Sequence, residues 1–168
     1  ILLGELAIDW EGELARYTGD VLAHRLCWHL RQSHEALRRG LETWAAVRPT
    51  SSLRYLQDAR VHLLTLDLQD PARLMDQLRP HRFDYIVHAA GATKCQDPAD
   101  FFRVNRDGTR HLFQAVRALA MPVERIVFLS SLSVFGAIHE TQPYTPITEA
   151  DQPRPNTCYG RSKLEAEQ

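Results

Sequence analysis

From residue 35 onward, short apolar runs alternate with stretches of helical spacing. The apolar runs that have the length of buried strands are residues 43–47, 61–66, 85–90 and 125–129. Helical spacing is found at residues 71–78, 101–119 and 159–168, and a further helix is predicted to end at Arg39 with Gly40 as its cap. Alternating strands and helices, with strands apolar throughout, predict an α/β fold: a doubly wound parallel sheet covered on both faces.

The first 34 residues do not follow this alternation. A doubly wound nucleotide-binding sheet starts with a strand, a glycine-rich turn and a helix whose N-terminus binds pyrophosphate. Between Thr18 and Glu35 the only glycine is Gly19, and neither GxGxxG nor GxxGxxG is present. The sequence therefore predicts an atypical leader (residues 1–34) and a partial dinucleotide-binding domain (residues 35–168), a fold that is incomplete at both ends.

Two origins of the leader stay open. When the codons for residues 25–32 are read one base later, Trp28 followed by His29 forces a glycine codon, and the other shifted codons permit Gly-Phe-Val-Gly-Thr-Phe-Val. Because this sequence would supply the second half of a glycine motif, one hypothesis is a frameshift that ends near His34. The alternative is a genuinely divergent leader. The missing initiator methionine predicts a fragment or a processed chain.

Composition and charge exclude several classes of function. The chain has 168 residues, 44% of them hydrophobic, and a net charge of -1, which predicts a globular domain without the basic surface of a nucleic-acid-binding protein. It contains no apolar run long enough to span a membrane, and acidic residues soon after Leu3 argue against a signal peptide. Three scattered cysteines, and eight histidines without an HExxH pair, predict reduced thiols in a cytoplasmic protein and no metal site.

Tyr159 and Lys163 are the leading candidates for catalysis. On a helix, a separation of four residues places both side chains on one face, one turn apart. A free phenol has a pKa of about 10, and a nearby ammonium together with an oxidised nicotinamide lowers that pKa by favouring the phenolate. Tyrosine can then exchange a proton with a substrate oxygen. The alternative is an exposed helical turn without chemistry.

Three serines, Ser130, Ser131 and Ser133, follow the last predicted strand, at the edge where ligands bind in open α/β sheets. A hydroxyl there can hydrogen-bond the same substrate oxygen that the tyrosine protonates. The alternative is that these hydroxyls only satisfy backbone groups of the turn.

Taken together, these segments resemble the extended short-chain dehydrogenase/reductases, also called NAD-dependent epimerase/dehydratases. The order and spacing of the motifs match those of the family over residues 35–168. The matching motifs are residues 84–91, Val104-Asn105 with Gly108-Thr109, Ser130-Ser131 with Val134-Phe135-Gly136, and residues 159–163. The resemblance implies a Rossmann-like sheet and a role for each matching position. For catalysis it implies that Ser131 is the catalytic serine, that Tyr159 is the acid/base, and that Lys163 lowers the tyrosine pKa and holds the ribose. It also implies that Ser133 contacts the substrate and that Asn105 braces the central helix. The residues that it implies line the cofactor are Ala89, Ala90 and Gly91.

Two further positions bear on the cofactor. Asp67-Leu68 resembles the family's adenine-contacting pair, and the alternative for Asp67 is an ordinary helix cap before Pro71. Arg48 follows the second predicted strand, where an NAD-preferring enzyme usually carries an acidic residue. Arginine suits a 2′-phosphate, so NADP is favoured over NAD, unless the side chain is simply solvated.

The resemblance implies an NAD(P)-dependent oxidoreductase, epimerase or dehydratase that acts on a hydroxyl or carbonyl carbon of a small molecule, without deciding among the three. A non-catalytic dinucleotide-sensing protein, or a non-functional fragment of the same fold, is the competing interpretation. The missing glycine motif favours a fragment, and the intact Ser131, Tyr159 and Lys163 argue against a sensor. The predicted partners exclude nucleic acid and membrane, and a homodimer of the full-length parent stays open.

Overall fold

The structure, a computed structural model, describes residues 2–4, 33–51, 53, 56–138 and 145–168. Its strands are β1 (Leu2–Gly4), β2 (Thr43–Val47), β3 (Val61–Thr65), β4 (Tyr85–His88) and β5 (Arg125–Phe128). Residues 33–38 are helical (α1). The other helical segments are α2 (Pro71–Leu78), α3 (Pro98–Phe101), a π-helical segment (Phe102–Asp107), α4 (Gly108–Ala118), a 3-10 turn (Leu132–Val134) and α5 (Cys158–Glu167).

The five strands form one parallel sheet in the order β3-β2-β1-β4-β5. This order confirms the predicted doubly wound α/β fold, because the strand order reverses direction at β1 and the strands are all parallel. The carboxyl ends of the strands therefore lie along one edge of the sheet, which is where such folds bind ligands.

Leu2–Gly4 lies at the centre of this sheet and pairs with both β2 and β4. The interpretation that the first 34 residues stand outside the alternation is therefore wrong for this segment. A strand of three residues is shorter than the apolar runs from which a strand can be recognised in the sequence. It is the pairing of β1 with a strand on each side that identifies it in the structure. The frameshift hypothesis and the missing glycine motif concern residues outside those that the structure describes, and the division at residue 34 stays a prediction.

Local signals explain the elements that were predicted well. Asp70 caps α2 by accepting hydrogen bonds from Ala72 N and Arg73 N, and Pro71 occupies the first turn, so the helix has its predicted bounds. Gly40 has a φ of +73°, the left-handed conformation expected of a glycine that ends a helix. β3, β4 and β5 end one or two residues earlier than the apolar runs do.

The core packs α2 and α4 against the sheet. Its buried side chains are Leu66, Leu74, Leu78, Phe83, Ile86, Leu112, Ala115, Val116 and Met121. The outer strands are less covered: Leu63 on β3 is 41% exposed and Val127 on β5 is 49% exposed. The predicted cover of both sheet faces is therefore incomplete at the two outer strands of the described sheet.

The helix predicted over residues 101–119 is divided by the π-helical segment. A π-helical turn holds an additional residue, so it shifts the helix face that points inward, and such turns are frequent at functional sites. Asn105, in the middle of this segment, is fully buried, and Gly108 and Thr109 are buried directly after it.

Candidate functional site

The predicted catalytic residues lie on two segments that pack closely. Ser131 precedes the 3-10 turn that follows β5, and Tyr159 and Lys163 lie on the first two turns of α5. Thr157 caps α5 by accepting a hydrogen bond from Gly160 N at 2.9 Å. A Cβ added at Gly160 would overlap Ser133 O. Glycine at this position thus lets the start of α5 approach the serine-bearing turn.

Lys163 is 4% exposed and held at the carboxyl end of β5. Its Nζ donates to Leu129 O at 2.7 Å and lies 4.1 Å from the centre of the Phe128 ring. Burial lowers the pKa of Lys163 to about 8, and the charge of Glu167 opposes this shift. The segment is therefore not an exposed helical turn, since it presents a desolvated amine beside the end of the sheet. An ammonium has three donors, and this hydrogen bond uses one of them.

Tyr159 is half-buried, and its ring centre lies 6.0 Å from that of Phe101. Ser131, also half-buried, accepts a hydrogen bond from Ser133 N at 3.2 Å. The Ser131 hydroxyl thus does satisfy a backbone group of the turn, as the alternative interpretation expected. Accepting that bond does not use the hydroxyl hydrogen of Ser131, which can serve a substrate oxygen.

Asn105 joins the loop after β4 to α5. Its Oδ1 accepts from Ala92 N at 2.7 Å, and its Nδ2 donates to Ala92 O at 3.0 Å and to Ser162 Oγ at 2.9 Å. Ser162 Oγ in turn donates to Tyr159 O at 2.7 Å. These bonds tie the central helix, on which Asn105 lies, to the neighbouring loop and to α5, and the role of Asn105 as a brace of that helix stays a prediction. Sequence reasoning missed Ser162, and its only signal was its position between Tyr159 and Lys163.

His88 was also missed by sequence reasoning. This buried residue ends β4, and its Nε2 lies 2.8 Å from Thr109 Oγ1, which donates to Asn105 O at 2.5 Å. Because the Thr109 hydrogen is used in that bond, Nε2 of His88 is the donor to Thr109. The imidazole stacks on the Phe128 ring at 5.4 Å. Burial, and then the Lys163 charge, lower the pKa of His88 to about 4, so the ring is neutral at neutral pH.

A cavity of about 420 Å³ lies at the carboxyl ends of β2, β3 and β4. Five of the predicted cofactor residues line it: Arg48, Asp67, Leu68, Ala90 and Gly91. Ala89, Tyr159 and Lys163 are not among the residues that line it, and Ala89 is buried. Lys163 adjoins the cavity at Gly91, where an added Cβ would lie 3.9 Å from Nζ.

The Asp67 carboxylate is not the cap of α2, since Asp70 has that position, so the helix-cap alternative is wrong. Asp67 Oδ1 accepts from Gln69 N at 3.0 Å, and Oδ2 lies 3.7 Å from Arg73 Nη1. The exposed Arg48 begins a turn, with its N–H donating to Ser51 Oγ at 3.0 Å. Within the part of the chain that the structure describes, the Arg48 guanidinium has no hydrogen-bond or ion-pair partner.

The residues present fit the adenosine portion of a dinucleotide. The cavity has apolar walls from Val47, Leu66 and Ile86, and the charged side chains of Arg48 and Asp67 are part of its lining. Its volume lies in the range of about 300–1,000 Å³ that is usual for small-molecule sites. Among the described residues, no three His, Cys, Asp or Glu side chains are grouped to hold a metal ion.

Comparison with known proteins assigns the family. Residues 31–168 match the model of the NAD dependent epimerase/dehydratase family. The chain belongs to this family. The resemblance inferred from the motifs is thereby confirmed.

Curated relatives include epimerases and reductases. UDP-glucose 4-epimerase of Bos taurus is 35% identical over 121 residues, which cover 67% of the chain and 33% of that protein. GDP-6-deoxy-D-mannose reductase of Pseudomonas aeruginosa is 36% identical over 105 residues, which cover 60% of the chain and 33% of that protein. The chain therefore spans about a third of the length of these relatives.

Solved structures support the fold. The NAD complex of UDP-glucose 4-epimerase from Thermus thermophilus superposes with a TM-score of 0.72 at 22% identity, covering 99% of this chain and 49% of that one. RMD from Pseudomonas aeruginosa, complexed with NADPH, superposes with a TM-score of 0.59 at 26% identity, covering 99% and 46%. In the described part of the chain, none of the helices has the length and apolar character needed to cross a membrane.

Proposed function

We propose that this chain is the nucleotide-binding part of an NAD(P)-dependent oxidoreductase, epimerase or dehydratase, which acts on a hydroxyl or carbonyl carbon through Ser131, Tyr159 and Lys163. The observation that carries the proposal is the buried Lys163 amine at the carboxyl end of β5, one helical turn from Tyr159. A lysine is rarely buried without a functional or structural partner, and here its partners leave further donors available.

Each of the three residues has a distinct part in the proposed chemistry. Lys163 supplies a positive charge in a desolvated site, one helical turn from Tyr159. Tyr159 then exchanges a proton with the substrate oxygen, and the Ser131 hydroxyl hydrogen-bonds that oxygen and orients it. A nicotinamide dinucleotide, when bound, supplies hydride transfer.

We favour NADP over NAD. Arg48 borders the cavity at the end of β2, and a guanidinium there, without a partner among the described residues, can pair with a 2′-phosphate. The Asp67 carboxylate, at the end of β3, can accept a hydrogen bond from the exocyclic amine of adenine. The related structures include one complex with NAD and one with NADPH, so both cofactors belong in the test.

Sugar nucleotides are the first substrates to test. The names of the relatives mention UDP-glucose and GDP-6-deoxy-D-mannose, each of which combines a nucleoside diphosphate with a sugar whose hydroxyl or carbonyl carbon can react. Epimerisation and reduction both begin with hydride movement beside the same Tyr-Lys pair, so the choice between them requires product analysis.

The decisive experiment replaces Tyr159 by Phe in the full-length protein. Loss of the phenolic proton donor is expected to lower kcat by about 10²–10⁴-fold while NAD(P)H binding is retained. Tyr85→Phe is the matched control, because the Tyr85 hydroxyl bonds to Glu124 at 2.7 Å on the exposed surface. It is expected to keep full activity. Unchanged turnover in the Tyr159 variant would contradict the proposal, and cofactor binding without turnover of any sugar nucleotide by the wild type would favour a sensor.

A further inference from the structure

The strand end that leads to Ser131 is held by α5 at two successive helical turns. At the first turn, Lys163 Nζ donates to Leu129 O at 2.7 Å and lies over the Phe128 ring. At the next turn, Glu167 accepts a hydrogen bond from Ser130 Oγ. Two neighbouring residues of the strand end, Leu129 and Ser130, are thus bound by residues four positions apart on one face of α5.

Among the described residues, few charged or titratable groups act on Lys163. On its own helix, Glu167 is the acidic residue whose charge favours protonated Lys163. From β4, the His88 imidazole acts on the same region, and its pKa of about 4 keeps it uncharged at neutral pH. From β5, a carbonyl oxygen and an aromatic ring face the amine, and neither carries a net charge.

We propose that Ser130 and Glu167 form a positioning pair for the catalytic lysine. Glu167 places a negative charge one helical turn from Lys163 on the same face of α5. Ser130 holds that carboxylate in place and ties α5 to the segment that leads into Ser131. The inference rests on the proposed function, in which Lys163 acts on the phenol of Tyr159.

The titration of Lys163 can be measured directly, because the chain contains only two lysines, Lys94 and Lys163. Labelling with [13C]lysine gives one ε-carbon NMR signal for each, and Lys94→Arg assigns them. Glu167→Gln removes the charge while keeping an acceptor for Ser130, and it is expected to lower the Lys163 midpoint by roughly half a pH unit. Ser130→Ala should lower it less, because the carboxylate remains but is no longer anchored.

Glu165→Gln is the matched control for Glu167→Gln. It removes the same charge from the same helix, but the Glu165 carboxylate lies 3.0 Å from Arg106 Nη1 on the π-helical segment. It is expected to leave the Lys163 midpoint unchanged. Equal shifts in the two variants, or no shift in Glu167→Gln, would overturn the proposal. If Glu167→Gln does not fold, Glu167→Ala replaces it: a lowered Lys163 midpoint supports the role of the charge, and an unchanged midpoint contradicts it.

The pH dependence of kcat/KM in the full-length protein separates this inference from the proposed function. Because protonated Lys163 is the active form, Glu167→Gln is expected to move the alkaline limb to lower pH, and Glu165→Gln to leave it in place. An unshifted alkaline limb in Glu167→Gln contradicts the positioning pair even when the enzyme is active. Absence of turnover in the wild type contradicts the proposed function, whereas the NMR midpoints still decide whether Glu167 sets the charge of Lys163.

Discussion

Asn105 Nδ2 donates a hydrogen bond to Ser162 Oγ across 2.9 Å, and both side chains are fully buried. This contact joins the π-helical segment to α5, and Ser162 continues it by donating to the carbonyl of Tyr159. The position of the candidate acid/base therefore depends on an amide that lies outside the Tyr-Lys motif. A buried polar group of this kind is costly to remove, since its partners are left without hydrogen bonds.

We expect Asn105→Ala to lower the free energy of unfolding by about 2–4 kcal/mol, because the backbone groups of Ala92 lose their buried partner. Urea denaturation followed by circular dichroism measures this loss. Gln114→Ala, at an exposed position of α4, is the control and should change stability by no more than about 0.5 kcal/mol. A similar loss in both variants would show that the Asn105 bonds contribute little.

The stability of the domain should decrease as pH falls from about 6.5 to about 4, in part because of His88. The folded state lowers the pKa of His88 from 6.5 to about 4, so in this window the unfolded state binds a proton that the folded state excludes. The linked loss reaches about 3 kcal/mol at the acid end. The measurement is the urea midpoint of wild type and of His88→Gln at each pH from 7 to 4. Carboxylates titrate equally in both proteins, so the difference between the two midpoints reports on His88. A difference that stays constant over this pH range would contradict the prediction.

Arg48→Ala in the full-length protein is expected to weaken NADPH binding by about 10–100-fold and NADH binding by much less, because only NADPH carries a 2′-phosphate. Fluorescence titration with both cofactors measures the ratio of the two dissociation constants. Arg60→Ala serves as the control, since that guanidinium is paired with Asp58 at 2.7 Å and is not among the residues that line the cavity. If Arg48→Ala leaves the ratio of the NADPH and NADH dissociation constants unchanged, Arg48 does not bind the 2′-phosphate and the preference for NADP is contradicted.

The elements that the sequence predicted well are those with a local signal. The bounds of α2 follow from Asp70 and Pro71, which act within one helical turn, and the end of α1 follows from a glycine with positive φ. Four apolar runs of ordinary strand length located β2 to β5, and the alternation of strands and helices predicted the parallel sheet. β1 was missed because three residues carry no recognisable pattern.

The sequence by itself determined the fold class, the family, and the order and spacing of Ser131, Tyr159 and Lys163, because these depend on periodicity and on motifs that can be recognised along the chain. The tertiary structure alone decided which groups meet around the amine: His88 stacked on Phe128, Asn105 bonded to Ser162, and Ser130 bonded to Glu167. These partners lie on different elements. Their contacts form only when the parallel sheet brings the carboxyl ends of β4 and β5 together beneath α5, so no local pattern could reveal them.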